Sequence, residues 1–373
     1  MDFSLSDERR MLKETAERWL RDEVPWESRN EGAASELGYD ADRWQQMAEL
    51  GLVGALIPAD HGGYGGTGED IALVFEALGR AIVTEPVLAT GILGATPLWM
   101  AGDEDQRALV GEAMEGGLTL ALAHGEPGGR YHPSHVGTRA EQADGGWRLT
   151  GTKAVVLNGD SAERLVVSGR VSGDTRDEEG LGLFVVEGGA EGVSRRGYGT
   201  VEGGRAAEVA LDGAPGVPIG TPGEAFPVIE ATLARGALAL SAEAVGIMER
   251  CKEITLDYLK TRRQFGRTLG SFQALQHRMV EMVLEIEQAR SAVILAASSL
   301  DGPREDRERT VSAAKNLAGR VGRLVSEESI QLHGGIAMTW EYSLPHFAKR
   351  LTMIDHLLGD TDHHLRRFQR FAA

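Results

Sequence analysis

The residues best suited to chemistry lie in one stretch, Tyr258-Leu-Lys-Thr-Arg262-Arg263-Gln264-Phe265-Gly266, which runs on to Ser271-Phe272-Gln273-Ala-Leu-Gln276-His277. A guanidinium fixed beside a helix start suits phosphate, since charge and free N–H groups act together there. Phe265 offers an aromatic face for a flat ring. Two helices must position these groups. The upstream one is rich in Ala and Leu and ends where Gly266 and Gly270 interrupt its pattern. Ser271 then reads as the N-cap of the next helix. That helix puts Leu275, Met279, Met282, Val283, Ile286 and Ala289 on one face. For Arg262 taken alone, a surface salt bridge is the ordinary alternative.

The stretch resembles the Tyr-x-x-x-Arg-x-Gln-Phe-Gly signature of the acyl-CoA dehydrogenases. Gln331-Leu332-His333-Gly334-Gly335 resembles the Gln-x-x-Gly-Gly of the same family. The resemblance runs from the first helix to the last and is most specific in the C-terminal third. It implies that Arg262, Gln264, Phe265, Phe272, Gln273, Gln331, Gly334 and Gly335 contact an FAD bound mainly by a neighbouring subunit. With these matches taken together, the cofactor reading outweighs the salt bridge.

The chain has 373 residues, room for two or three domains. Its apolar content of 42% is that of a soluble globular chain. A net charge of −17 argues against nucleic acid and anionic membrane as partners. An anionic CoA thioester would therefore need local basic residues. The single cysteine, Cys251, excludes an intrachain disulfide and reads as a small core residue. The N-terminus, Met1-Asp-Phe-Ser-Leu-Ser-Asp-Glu, shows neither a basic nor an apolar targeting region, and no apolar run reaches membrane length. A cytoplasmic protein is expected.

Residues 1–115 read as helices. Met11, Leu12, Thr15, Ala16, Trp19 and Leu20 form a stripe, with Asp7 and Glu8 suiting the helix start. A second helix begins near Ala41, carries Trp44, Met47 and Leu50, and stops at Gly51. The glycine-rich run from Ile57 to Gly66 lacks the partners of a phosphate loop and reads as a turn between helices. It also resembles a Pro-Glu-x-x-Gly-Gly loop of the family. Further helices are expected from Glu69 to Ala81 and after Thr90.

Residues 116–222 change texture. Short β-like runs appear at Leu118 to Ala123, Trp147 to Leu149, Ala154 to Leu157, Arg164 to Val167, Leu181 to Val186 and Ala207 to Leu211. Asp144-Gly-Gly and Asn158-Gly-Asp supply turns. A small antiparallel barrel or sandwich is expected, with Arg170 to Gly180 as a solvated loop. Residues 223–373 return to helices, at roughly Ala225 to Lys260, Ser271 to Ser299, Arg307 to Gly334 and Leu344 to Phe371, read as a four-helix bundle. The fold class is α+β, in the order helices, β-barrel, bundle that the resemblance also implies.

The resemblance further implies α,β-dehydrogenation of an acyl-CoA thioester, with a carboxylate as base and flavin as hydride acceptor. At the two positions where the family places that base, this sequence has Leu358 and Gly236. Asp355, Asp360 and Glu243 are near in sequence but read as solvated or capping carboxylates. The family's Thr-Glu-Pro-x-Ala-Gly-Ser-Asp corresponds to Gly125 to His132, with Tyr131 where a small Ser is usual. Its Trp-Ile-Thr corresponds to Val155-Val156-Leu157, which loses a hydroxyl. Arg130, His132 and His135 form either a basic patch for CoA phosphates or a polar surface loop.

The losses therefore fall on the elements that would serve the chain's own flavin, while those lent to a neighbour are intact. This pattern resembles the small, non-catalytic subunits of heteromeric bacterial acyl-CoA dehydrogenases of the pimeloyl-CoA and steroid side-chain types. Two alternatives stand beside it: a homo-oligomeric enzyme with a displaced base, and an FAD-free relative that binds acyl-CoA or protein. A homo- or hetero-oligomer is expected in the first two, with acyl-CoA at a shared site.

Overall fold

The computed structural model describes residues 5–143 and 145–372. Met1 to Ser4, and the Asp144 of the expected Asp-Gly-Gly turn, lie outside the described residues. In chain order the helices are α1 (Asp7–Glu23), α2 (Trp26–Ala34), α3 (Ala41–Glu49), α4 (Gly68–Gly79), α5 (Ala95–Ala101) and α6 (Glu104–Met114). Seven strands follow: β1 (Leu120–Ala123), β2 (Arg139–Ala143), β3 (Gly146–Leu157), β4 (Arg164–Arg170), β5 (Leu181–Glu187), β6 (Val193–Gly199) and β7 (Arg205–Gly223). Then come α7 (Phe226–Thr261), a small hairpin of β8 (Arg263–Gln264) and β9 (Arg267–Thr268), α8 (Gln273–Ser299), α9 (Arg304–His333), α10 (Leu344–His356) and α11 (Thr361–Ala372). The chain divides into two compact units, each built from separated stretches: a helical unit of Met1–Arg29, Thr67–Val83 and Ala237–Ala373, and a β-containing unit of Asn30–Gly66 and Thr84–Gly236.

In the β-containing unit, β4, β2, β3, β7 and β5 pair in turn, and β5 pairs back with β4, so the sheet closes into a small barrel. β1 joins β4 and β6 joins β7 from outside that ring. Not every pairing is antiparallel as expected. β1 runs parallel to β4, and β2 meets β4 in parallel at a single residue pair, Arg139 with Arg170. The β2–β3 hairpin lies between β1 and β4 in sequence and gives the chain the length a parallel crossover needs. β4 and β5 are buried on both faces, which is why they read as unbroken apolar runs. Leu165, Val167, Phe184 and Val186 pack on one side, while Val166, Leu183 and Val185 pack on the other with α5 and α6. The polar strands β2 and β6 gave no apolar pattern. β7 is much longer than the run expected, because β3, β5 and β6 all pair with it and support a stretch that contains Pro215 and Pro218.

α7, of which residues 237–261 belong to the helical unit, contains an 18-residue window apolar enough to cross a membrane, contrary to the expectation from sequence, but 94% of that window is buried in protein. Close packing explains the small residues. A Cβ at Gly246 would meet the backbone of Glu76, so only glycine lets α4 and α7 approach this far. Thr67 and Asp70 form a capping box at the start of α4. Met279, Met282, Ile286 and Ala289 of α8 are buried, while Leu275 is half-buried and Val283 is partly exposed.

Two boundaries differ from expectation. Ser271 does not cap α8. It closes a short turn, with its hydroxyl donating to Thr268 O at 2.7 Å, and α8 starts after Phe272. The last expected helix is two, broken at Leu357 to Asp360, where Leu358 has φ 55° and Gly359 φ 117°. Lys315 holds that break, donating to the carbonyls of Ile354 (2.7 Å), Asp355 (3.2 Å) and Gly359 (2.7 Å). Burial pushes its ammonium down to about 8.

Candidate functional site

The helical unit displays the signature stretch on a hairpin. α7 ends as Arg262 N–H donates to Tyr258 O at 2.8 Å, and Leu269 N–H closes back on Arg262 O at 2.9 Å. Strands β8 and β9 pair Arg263 with Thr268 and Gln264 with Arg267. The two turn residues both have positive φ, 55° at Phe265 and 78° at Gly266. That is the type I′ pattern, which matches the twist of a tight hairpin. Gly266 adopts it freely. Phe265 adopts it at a cost of about 1 kcal/mol, and 88% of its surface is exposed. A large aromatic residue that is both strained and exposed does not serve the core. Phe272 stands edge-on to it at 6.2 Å, and the Arg267 guanidinium lies over the Phe272 ring at 3.8 Å.

The second motif sits at the end of α9. Gln331, Gly334 and Gly335 are exposed, and Gly334 turns the chain with φ 69°. The intervening His333 is buried and stacks on Tyr258 at 4.4 Å, so the first residue of one motif touches the middle of the other. The structure thus links the motif segments through Tyr258 and His333. It leaves Arg262, Gln264 and Gln273 exposed, with Phe272 half-buried beside the hairpin. Reasoning from sequence left Arg263, Arg267 and His333 off the site. Arg263 and His333 lie inside the motifs and Arg267 directly follows the first, so their position was a usable signal.

The charges fit a bound anion. Among the described residues, no carboxylate pairs with Arg262 or Arg263, whereas Arg80, Arg278, Arg290, Arg320 and Arg350 of the same unit each meet a Glu. Open guanidinium groups on the same hairpin as the exposed Phe265 ring fit a molecule that carries phosphates and a flat ring. The donor set is thus compatible with FAD.

The β-containing unit holds a different cluster. Lys153 is fully buried and donates to Glu126 (2.7 Å), Ser168 (3.0 Å) and the His124 carbonyl (3.3 Å). Burial pushes Lys153 down to about 8, against the pull of Glu126. Glu126 also accepts from Thr138 Oγ and from the N–H groups of Gly137 and Thr138. Burial would raise its carboxyl, but Lys153 and these donors hold it at about 2. Nearby, Val155 occupies a strand irregularity with φ 53° and is 52% exposed.

Comparison with known proteins matches the N-terminal, middle and C-terminal domain models of acyl-CoA dehydrogenase to residues 6–115, 121–212 and 223–372. The chain belongs to the acyl-CoA dehydrogenase family. It is 31% identical over 366 residues to acyl-CoA dehydrogenase IpdE2 of Mycobacterium tuberculosis, covering 97% of this chain and 96% of that one. Among solved structures, a variant of the Tcur3481-Tcur3483 steroid ACAD is 29% identical with TM-score 0.89, over 99% of this chain and 98% of the other. A chain of the ChsE4-ChsE5 complex from Mycobacterium tuberculosis is 25% identical with TM-score 0.87, over 99% and 98%.

Against the family pattern, the carboxylates near the two base positions are all engaged. Glu243 is buried and holds Arg350 through two bonds, of 2.6 and 2.8 Å. Asp355 accepts from the N–H and hydroxyl of Thr361 at 3.1 and 2.7 Å, and Asp360 accepts from His363 N–H at 2.8 Å. The last two cap α11. Leu358 stands in the pinned turn, with its carbonyl 3.0 Å from His364 Nε2, and Gly236 is buried in α7.

Proposed function

We propose that this acyl-CoA dehydrogenase family chain completes the FAD site of a catalytic partner subunit, in an oligomer that oxidises an acyl-CoA thioester at its α,β carbons. The observation that carries this reading is the contrast between an exposed motif edge and two base positions without a carboxylate. The edge of Arg262, Gln264, Phe265, Gln273, Gln331, Gly334 and Gly335 is exposed and its charges are open, while both base positions lack a proton acceptor. FAD, when bound, supplies the hydride acceptor. This chain's residues would hold its phosphates and cover a flat ring. The carboxylates that a displaced base would draw on are already committed to Arg350 and to the start of α11. The ChsE4-ChsE5 neighbour is a complex of two named chains, which supports a mixed assembly.

General-base catalysis contributes roughly 10²–10⁴-fold, so the lone chain is expected to turn over acyl-CoAs poorly with a ferrocenium-type acceptor. Leu358→Glu alone is not expected to restore activity, because Tyr131 and Leu157 also depart from the family pattern. Robust turnover by the isolated chain would overturn the assignment. Co-expression with a dehydrogenase chain that carries the catalytic Glu or Asp should give a mixed tetramer with about half the FAD expected of a closed symmetric homotetramer. Sedimentation together with a flavin-to-protein ratio measures this. A stable monomer carrying one FAD per chain would contradict it.

A further inference from the structure

His333 lies between the two motif segments and has no part in the reading above. Its ring stacks on Tyr258 of α7 at 4.4 Å with planes 24° apart, and stands 5.4 Å from Tyr342 in the segment between α9 and α10. It is 5% exposed, which is unusual for a histidine at the end of a helix. Nδ1 lies 2.8 Å from Ser329 O. A carbonyl only accepts, so Nδ1 carries the proton and the neutral ring presents Nε2 as an acceptor. Nε2 is buried without a partner among the described residues.

Stack, hydrogen bond and burial fix this ring on three sides. Tyr258 lies one helical turn before Arg262, and His333 lies between Gln331 and Gly334. We propose that His333 is a positioning residue that locks the Arg262 end of α7 to the Gln331–Gly335 turn, so that both segments present their groups to the flavin in one fixed arrangement. This role presupposes that the edge meets a flavin. It also requires a neutral ring, since an imidazolium here would be a buried charge with no counterion among the described residues. The titratable groups that face the ring are Tyr258 and Tyr342, and its own helix contributes the Ser329 carbonyl. Burial holds the imidazole below its usual range, and no charged side chain adds to that shift. A histidine held low is neutral in the folded arrangement above its ordinary value, and loses that arrangement as pH falls through the folded value.

Two variants of the full-length protein, purified with the chain it assembles with, test this. His333→Ala should speed hydrogen exchange in residues 258–268 as well as in 331–343. It should also weaken titrated FAD about two- to tenfold, the range a ring pair supplies. His333→Phe keeps a ring against Tyr258 but does not titrate. It should hold FAD near the parent level at pH 7.5 and lose the parent's fall in affinity below about pH 6.5. Unchanged exchange in 258–268 for the alanine variant overturns the lock, as does an acid profile of the phenylalanine variant that matches the parent. Faster exchange in both segments with undiminished FAD affinity instead overturns the flavin reading of the edge. If the alanine variant does not fold, the pH profile of the phenylalanine variant still decides.

Discussion

Arg262 and Arg263 in the helical unit and Lys153 and Arg170 in the β-containing unit put the same kind of charge to opposite uses. The first two stand in solvent and, among the described residues, meet no carboxylate. Lys153 spends its three donors on Glu126, Ser168 and His124 O. Arg170 spends its five on the carbonyls of Val136, Asp177, Glu179, Ser134 and Thr175. Those bonds pin the loop after β4, whose residues 172–179 are exposed, as the sequence suggested. A cation satisfied from within holds the fold together. A cation left open in a chain of net charge −17 is available to an anion from outside.

The largest effect should come from the closed side. Lys153→Met leaves Glu126 buried beside an apolar side chain, and breaking one partner of a buried pair costs roughly 3–5 kcal/mol. Denaturant unfolding measures it, and a loss under 1 kcal/mol would mean that Lys153 is not the closed charge described. The same pair predicts an acid limb. Glu126 is held at about 2 against an ordinary 4.5, so its contribution is present above about 4.5 and is lost as pH falls towards 2. Glu126→Gln should flatten the stability profile in that window relative to the parent.

On the open side, Arg262→Ala should weaken flavin retention by the assembly by about 1.5–3 kcal/mol, or roughly ten- to a hundredfold. Folding stability should change little. An early melt with full flavin occupancy would give Arg262 the role of Lys153 and erase the contrast. The smallest effect is expected at Phe265→Gly. It removes an exposed ring and relieves a positive φ, so stability should hold or rise by up to about 1 kcal/mol. Flavin affinity should fall about two- to tenfold, the weight of one aromatic contact. A clear loss of stability would show that the ring is structural.

The sequence by itself determined the helical periodicity of α1, α4, α7, α8 and α9, the apolar runs of β4 and β5, and both family-signature motifs. These are local signals: a repeat near 3.6, an unbroken apolar run, or a fixed spacing of Arg, Gln, Phe and Gly. It also showed that Leu358 and Gly236 bear no carboxylate. Only the tertiary structure decided the rest. β2, β6 and most of β7 are polar or proline-bearing and become strands because partners pair with them, not because of their own pattern. The break between α10 and α11 follows from Gly359 and from a lysine some forty residues earlier in the chain. The turn at Phe265 needed the hairpin register to become visible, since phenylalanine does not ordinarily mark a positive φ. The contact of Tyr258 with His333 joins residues more than seventy positions apart, and no local pattern carries that information.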